Sequence, residues 1–431
     1  MNELFLNRMK DYLKDEYDAF VDSTAQPLLR GLRYNPKKQF KRIEDLELTP
    51  FSKDSYYVSE TLGNHPGHIC GAFYLQEPSA ASAVTILDVQ EKDCVLDLCA
   101  APGGKSTQIA SALKGGFLVT NEINKKRAQI LLSNVERYGV ENVLVTNTNT
   151  TKLCQSFQSC FDKVLVDAPC SGEGMMKKHD AASDWSQENV DFCAKRQKEI
   201  LSDAYKALKR DGYLVYSTCT YAKEENEEVV QWFLENYPDM ELLNPNVSFG
   251  REGFIKNTVR IFPMDGGEGH FVAKFHKKEG EEKSFPILKD KKVDPIIQSF
   301  FKEQLGFVPK HIQVIHDSVY AMEYPFIDTK KLPVLRQGIL VGELKKKRFE
   351  PAHAFYMNAE WINSYQKKWN VSLEQMNVFM HGETLECNLE KGYYAICFEG
   401  LPFGFGKSDG RIMKNKIPKG LRLLPNSNVH M

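Results

Sequence analysis

The sequence lacks the cysteine spacing of a disulfide framework or a zinc ribbon. Its ten cysteines include no C-x-x-C pair and no regular repeat, and either kind of framework needs such spacing. We therefore expect no bound metal. In a reducing compartment, most of these thiols should be small buried core residues.

Long apolar runs are also missing. No stretch approaches the roughly 20 consecutive apolar residues of a membrane span. The first five residues, Met1–Phe5, do not have the charged and then apolar organisation of a secretory signal. These absences predict a cytoplasmic protein that does not bind a membrane, and we expect it to be a monomer.

The chain carries almost no net charge. Its 56 Lys and Arg residues balance 57 Asp and Glu residues, which leaves a formal charge of -1 at pH 7. A polyanionic partner must therefore bind local basic patches, because the overall field does not attract it.

Apolar runs alternate with helical patterns from Val84 to about Phe275, which predicts an α/β fold. The strand-like runs are 94–98, 117–120, 143–146, 163–167, 212–217 and 270–275, and helical patterns lie at 106–113, 124–138, 188–209 and 223–236. Such alternation is typical of a doubly wound, mainly parallel Rossmann-like sheet with right-handed crossovers.

The flanking regions differ from this central part in their residue composition. A charged run without apolar residues, His276–Lys283, is most simply a solvated linker. The predicted organisation is an N-terminal α+β domain, the α/β core, a linker, a small α+β domain and a C-terminal domain. The corresponding boundaries are 1–85, 86–276, 277–292, 293–365 and 366–431.

A glycine-rich turn follows the first apolar run of the core. Its residues are Cys99, Ala100, Ala101, Pro102, Gly103, Gly104 and Lys105. The turn ends like a Walker A loop, but that motif needs a glycine where Cys99 stands, and the dinucleotide motif G-x-G-x-x-G is absent. Glu122, at the end of the next strand, can accept both hydroxyls of a ribose. This combination fits S-adenosylmethionine (SAM), and the alternative is a tight turn after a buried strand.

Two cysteines stand at the ends of two further predicted strands. Asp167 and Cys170 follow one apolar run, and Cys219 follows another. Methyl transfer to C5 of cytosine needs a thiolate that adds to C6, an acid near the N3/N4 edge and a base for the C5 proton. Either cysteine alone could be a structural turn residue. Both cysteines beside Asp167 and the glycine-rich turn predict covalent methyl transfer to a pyrimidine.

These motifs resemble the Nop/Sun family of RNA cytosine-C5 methyltransferases, whose hallmarks are a CAAPGGK-type loop, DAPCSG and STCT. The segments Tyr74–Ala80, Asp167–Gly174 and Tyr216–Asn226 are similar to bacterial RsmF-like 16S ribosomal RNA methyltransferases. Gly404–Lys407 and Lys414–Arg422 resemble the PUA-like tail of that group. The resemblance implies a SAM-dependent methyltransferase core and a C-terminal PUA-like RNA-binding domain.

The resemblance also implies a role for each site residue. Cys219 is the expected nucleophile, Cys170 the helper for product release, and Asp167 the acid beside base and cofactor. SAM contacts are expected from Cys99–Lys105, Asp167, Glu122 and Asn149. Many relatives carry aspartate at position 149, but asparagine can still donate to and accept from an adenine edge.

The substrate implied by the resemblance is cytosine in 16S rRNA, within the small ribosomal subunit or its precursor. The target nucleotide must be unpaired or flipped out of its helix. A transfer RNA methyltransferase would share the same catalytic motifs. A ribosome-assembly factor with a vestigial methylase fold would not need Cys170, Cys219 and Asp167. A DNA cytosine methylase would use the cysteine that follows Pro169 and would not need Cys219.

Three basic segments are candidates for RNA contact: Lys345–Arg348, Lys407–Arg422 and Arg30–Lys38. Between Lys407 and Arg422, six Lys or Arg residues stand against the single acid Asp409, and basic groups interleaved with glycine and proline suit the phosphates of structured RNA. The segment Arg30–Lys38 resembles the substrate-side motif of the family. For each segment, the alternative is an ordinary solvated basic surface.

Overall fold

The computed structural model describes residues 2–178, 185–329, 332–346 and 348–431. The chain starts with two helices and a three-stranded antiparallel sheet in the order β2-β1-β3. The elements of this part are α1 (Glu3–Leu13), α2 (Tyr17–Ala25), β1 (Gly31–Tyr34), β2 (Ser55–Tyr57), α3 (Pro66–Ile69), β3 (Phe73–Gln76) and α4 (Ser82–Leu87). Helices α1 and α2 bury Phe5, Met9, Leu13 and Phe20, the apolar positions that recur at helical spacing.

The central part alternates strands and helices, as the sequence pattern predicts. Its elements are β4 (Cys94–Asp97), α5 (Gly104–Ala112), β5 (Phe117–Asn121), α6 (Lys125–Tyr138), β6 (Val143–Thr146), α7 (Thr150–Ser156), β7 (Phe161–Asp167), α8 (Gln187–Ala207), β8 (Leu208–Thr218), α9 (Glu227–Asn236), β9 (Met240–Leu243), β10 (Arg251–Glu252), β11 (Thr258–Ile261) and β12 (His270–Lys277). Strands β8, β7, β4, β5 and β6 are neighbours in that order and run parallel. Strand β12 joins β8 in antiparallel fashion. The predicted Rossmann-like α/β fold is confirmed.

The register of the parallel strands brings their carboxyl ends to one edge of the sheet. Asp97 of β4 lies opposite Leu165 of β7, and Asp167 of β7 lies opposite Ser217 of β8. The loops that follow these strands therefore leave the sheet side by side, at the edge where α/β sheets bind their ligands.

Both faces of the central sheet are covered. Neighbouring residues on one strand belong to different cores: Leu96 and Val164 pack on one face, and Val95 and Leu165 pack on the other. Strands buried on both faces are apolar at nearly every position. This explains why the central strands are continuous apolar runs in the sequence.

Two smaller sheets follow the core, in the orders β13-β14-β16-β17 and β18-β20-β21-β22-β19. The elements are α10 (Pro295–Leu305), β13 (His311–Ile315), β14 (Ser318–Met322), β15 (Val334–Gln337), β16 (Ile339–Lys345), β17 (Arg348–Pro351), α11 (His353–Met357), β18 (Lys368–Asn370), α12 (Leu373–Met380), β19 (Leu385–Glu386), β20 (Gly392–Phe398), β21 (Leu401–Ser408) and β22 (Ile412–Asn415). Within the described ranges, no helix is both long and apolar enough to cross a membrane.

Strand β15 leaves the C-terminal part and joins the central sheet. It pairs antiparallel with β6, with Val334 opposite Thr146 and Gln337 opposite Leu144. The last parallel strand of the core is therefore covered on its outer edge, where it would otherwise present unpaired backbone groups. The sequence pattern does not predict this pairing, because β15 lies far from β6 along the chain.

The charged run after β12 is only partly solvated. Residues 278–284 are exposed. Lys277 is buried, however, and its Nζ donates to the carbonyls of Tyr205 and Leu208, at 3.0 Å each. Phe285 is also buried, with its ring centroid 5.3 Å from that of Phe157 and 5.2 Å from that of Phe161. The segment therefore runs along the core and is anchored at both ends.

Candidate active site

A cleft of about 840 Å³ opens at the edge where the parallel strands end. Seven predicted site residues line it: Cys99, Ala101, Glu122, Asn149, Asp167, Cys170 and Cys219. They lie at or just after the ends of β4, β5, β6, β7 and β8. The fold thus brings together side chains that are far apart in the sequence.

Five other residues of the predicted loop lie beside the cleft and do not line it: Ala100, Pro102, Gly103, Gly104 and Lys105. The backbone N–H of Ala100 donates to the carbonyl of Asn121 at 2.8 Å, which fixes the loop to the end of β5. Gly103 has φ +112° at the start of α5, a backbone conformation that glycine adopts without strain. Lys105 reaches the cleft indirectly, through Asp167.

Glu122 and Arg127 form one wall of the cleft. The Glu122 carboxylate accepts a hydrogen bond from the backbone N–H of Asn124 at 2.9 Å and lies 3.4 Å from the Arg127 guanidinium. Arg127 also donates to the carbonyl of Ala101 at 2.6 Å. Arg127 therefore links the glycine-rich loop to the carboxylate predicted to bind a ribose.

Asn149 has a structural role as well as a place on the cleft wall. Its Oδ1 accepts a hydrogen bond from the backbone N–H of Lys152 at 2.8 Å and so caps helix α7. The side-chain oxygen is thus engaged, and the amide nitrogen is the atom left for a ligand. A cofactor contact by Asn149 stays a prediction.

The two cysteines are in contact, and an ion pair stands beside them. Their Sγ atoms are 3.3 Å apart. Asp167 Oδ2 accepts a hydrogen bond from Lys105 Nζ at 2.8 Å, and Asp167 Oδ1 accepts one from the Ser217 hydroxyl at 2.8 Å. The ends of β7 and β8 thus bring two thiols and a carboxylate to the cleft, and Lys105 of α5 pairs with that carboxylate.

The environment gives Asp167 and Cys170 opposite protonation states. Burial acts to raise the pKa of Asp167, but the charge of Lys105, that of His270 and the hydrogen bonds from Lys105 and Ser217 together outweigh it, and the pKa of this carboxyl is below its usual value. The hydrogen bond with Cys219 and burial raise the pKa of Cys170 well above that of an ordinary thiol. Asp167 is therefore ionised in the free protein, whereas Cys170 is protonated and can donate its S–H to the sulfur of Cys219.

Helix α8 provides part of the cleft wall that sequence reasoning missed. Four of its residues line the cleft: Arg196, Glu199, Ile200 and Asp203. Asp203 Oδ2 accepts hydrogen bonds from the hydroxyls of Thr150 at 2.8 Å and Thr151 at 2.7 Å, which joins α8 to the start of α7. The spacing of these four positions places them on one helix face, and this was the available signal.

The polar side chains of the segment Arg30–Lys38 mostly point into the protein. Arg33, Asn35 and Lys38 are each buried, with at most 3% exposure. Arg33 donates to the Gly104 carbonyl at 3.1 Å and to the Thr107 hydroxyl at 2.7 Å. These residues fasten the N-terminal part to the glycine-rich loop and α5. Because they are buried, Arg33, Asn35 and Lys38 neither contact RNA nor form a solvated surface.

The C-terminal basic segment, in contrast, is on the surface. Its exposed basic residues are Lys407, Arg411, Lys414, Lys416 and Lys419. Lys414 lies 3.3 Å from the only acid of the segment, Asp409. Arg422 is half-buried and donates to the carbonyl of Ile417 at 3.0 Å. The segment is therefore accessible to a polyanion, and RNA contact stays a prediction.

Four protein-family models match successive parts of the chain. Residues 84–276 match 16S rRNA methyltransferase RsmB/F, and residues 1–78 match the N-terminal domain of 16S rRNA methyltransferase RsmF. Residues 299–358 match the first C-terminal domain of RsmF rRNA methyltransferase, and residues 366–423 match the methyltransferase RsmF PUA domain. Together these matches extend over most of the chain.

Full-length relatives and solved structures agree with these models. The chain is 31% identical to ribosomal RNA small subunit methyltransferase F of Shewanella oneidensis, over 98% of this chain and 97% of the relative. It is 32% identical to the protein of the same name from Aeromonas salmonicida, over 94% and 93%. A methyltransferase homologue from Pyrococcus horikoshii is similar in structure, with a TM-score of 0.57 and 27% identity, over 64% of this chain and 95% of that one.

Proposed function

Because the chain belongs to the RsmF group of 16S rRNA methyltransferases, we propose that it transfers a methyl group from SAM to C5 of a cytosine in 16S rRNA. The observation that carries this proposal is the pair of thiols 3.3 Å apart beside the ion pair of Asp167 and Lys105. An RNA-binding protein without catalysis has no need for this arrangement.

The residues around the cleft fit SAM. Glu122 offers a carboxylate to the ribose hydroxyls, and the amide nitrogen of Asn149 can face an adenine edge. The volume of about 840 Å³ is within the range of small-molecule sites. When bound, SAM supplies the methyl group as an electrophile. The protein must do the rest, which is to make C5 of cytosine nucleophilic and then restore the ring.

Cys219 and Cys170 divide that chemistry in our proposal. Cys219 attacks as the thiolate, after its proton has passed to solvent: its sulfur forms a bond to C6 and the electron pair of the C5–C6 double bond moves to C5. C5 then takes the methyl group, whose bond to the sulfonium sulfur breaks, and S-adenosylhomocysteine is the leaving group. A group near C5 must then accept the C5 proton, so that the C6–S bond breaks and the ring regains its double bond. Cys170 Sγ lies 3.3 Å from Cys219 Sγ, close to where that second group is needed, and it acts as the base after its own proton has passed to solvent.

Asp167 has a supporting role in binding the cytosine ring. Its carboxylate is held by Lys105 and Ser217 at 2.8 Å each, with both oxygens fixed at the rim of the cleft. In this position, the ionised Asp167 can accept a hydrogen bond from the N4 amino group of cytosine, while Lys105, which does not line the cleft, keeps the carboxylate in place.

The proposal is tested by methylation of RNA from a strain that lacks the gene. The purified protein should transfer label from SAM to 16S rRNA from that strain, and bisulfite sequencing should find the product as 5-methylcytidine. Label confined to transfer RNA would mean that transfer RNA, and not 16S rRNA, is the substrate. Label on another atom of the base would overturn the proposed methylation of C5.

A denaturing gel distinguishes the roles of the two cysteines. Cys219→Ala should abolish both methylation and any covalent protein–RNA species, because no thiol attacks C6. Cys170→Ala should allow attack but slow elimination, so that an adduct resistant to denaturation accumulates. An adduct in Cys219→Ala and none in Cys170→Ala would reverse the two roles.

A further inference from the structure

Glu225 holds the loop that carries Cys170. Its carboxylate accepts hydrogen bonds from the backbone N–H of Ser171 at 3.0 Å and from the Ser171 hydroxyl. It also accepts one from Gln197 Nε2 at 2.8 Å, and the same nitrogen donates to the carbonyl of Pro169 at 3.1 Å. Glu225 is thus connected to the residues on both sides of Cys170, and it is fully buried.

Asn226 does the same for the loop that carries Cys219. Its Oδ1 accepts a hydrogen bond from the Thr218 hydroxyl at 2.6 Å, and its Nδ2 donates to the carbonyl of Thr220 at 2.9 Å. Asn226 is also fully buried. Asn226 therefore binds both neighbours of Cys219. Glu225 binds one neighbour of Cys170 directly, Ser171, and is connected to the other, Pro169, through Gln197.

We propose that Glu225 and Asn226 are positioning residues with separate tasks, in which Glu225 sets the place of Cys170 and Asn226 sets that of Cys219. This inference rests on the proposed function, because it uses the two cysteine roles assigned there. Loss of Glu225 should impair release of the methylated base, whereas loss of Asn226 should impair the initial attack on C6.

The chemistry of the Glu225 carboxylate explains why glutamine, its close isostere, should fail at this position. Three donors converge on the Glu225 carboxylate, which has acceptors only. A glutamine there supplies one acceptor oxygen and turns an NH₂ group toward at least one donor, so the loop around Cys170 must shift. Burial raises the pKa of Glu225 to about 6, and the carboxylate is therefore ionised at alkaline pH.

The experiment compares Glu225→Gln and Asn226→Ala on a denaturing gel after incubation with labelled SAM and substrate RNA. With Glu225→Gln, the methylated protein–RNA adduct should accumulate as in Cys170→Ala, while free methylated RNA falls roughly tenfold or more. With Asn226→Ala, adduct and product should fall together, as in Cys219→Ala. General destabilisation would lower both signals in both variants and could not produce accumulation.

Matched controls make the outcome decisive. Glu224→Gln changes the neighbouring carboxylate, which contacts Gln187 and Arg8 and neither cysteine loop, and it should behave as the unchanged protein does. If Asn226→Ala does not fold, Asn226→Asp keeps the acceptor toward Thr218 and removes the donor toward Thr220. The inference is overturned if well-folded Glu225 and Asn226 variants lose adduct and product in equal proportion. An absence of adduct in Cys170→Ala itself would instead overturn the cysteine roles of the proposed function.

Discussion

At the scale of single residues, substitution of Glu122 gives the most direct test of SAM binding. A hydrogen bond to a charged group is worth about 1.5–3 kcal/mol, so Glu122→Ala should weaken SAM binding roughly ten- to a hundredfold. Isothermal titration calorimetry with SAM measures this directly. Lys126→Ala, at an exposed residue in the first turn of α6, is the matched control. Equal affinity in both variants would exclude the ribose contact.

Asp97 predicts a dependence of stability on pH. Burial raises the pKa of this carboxyl to about 7, although Ser106 donates a hydrogen bond to it at 2.6 Å. The native protein keeps the proton up to about pH 7, whereas the unfolded chain loses it near pH 4. The free energy of unfolding therefore falls as the pH rises through this interval, by on the order of 1 kcal/mol between pH 6 and pH 8.

Asp97→Asn should remove that contribution, because the amide resembles the protonated acid and has no proton to lose. Urea unfolding at pH 6 and pH 8 measures the effect. The variant should gain stability relative to the unchanged protein as the pH rises. Parallel losses of stability in the two proteins would show that another group carries the dependence.

At the scale of elements, the exposed basic segment after β21 is predicted to contact RNA phosphates. Changing Lys414, Lys416 and Lys419 to glutamine should weaken RNA binding and flatten its dependence on salt, because fewer counterions are released. SAM affinity should not change. The matched control changes Lys289, Lys291 and Lys292, which are equally exposed on the linker. If both triple variants bind RNA alike, the segment after β21 is ordinary solvated surface.

The elements also show how far sequence reasoning reaches. Strand ends, the glycine-rich loop and both cysteines could be predicted, since each depends on local apolar runs and on the rule that parallel strands end at one edge. The burial of Arg33 and the cysteine supports at Glu225 and Asn226 could not. Such contacts join segments that only the fold brings together, and a buried arginine does not differ from a solvated one in sequence.

At the scale of the whole molecule, Phe285 links the linker to the catalytic core. The ring is 6% exposed and packs among Phe117, Phe157 and Phe161. Phe285→Ala should therefore lower the free energy of unfolding by about 3–5 kcal/mol. Phe192→Ala, at a residue that is 64% exposed, is the control and should cost little. Equal unfolding midpoints for the two variants would mean that the linker is not anchored.

The pairing of β15 with β6 has a consequence for biosynthesis. Strand β6 ends at Thr146, and its outer neighbour ends at Gln337, so the ribosome must add roughly 190 residues before the edge can be covered. At about 5–20 residues per second, the nascent chain carries an open sheet edge for roughly 10–40 seconds. An unpaired edge is a template for aggregation, so the growing chain has its greatest need of a chaperone while residues 147–337 are being made.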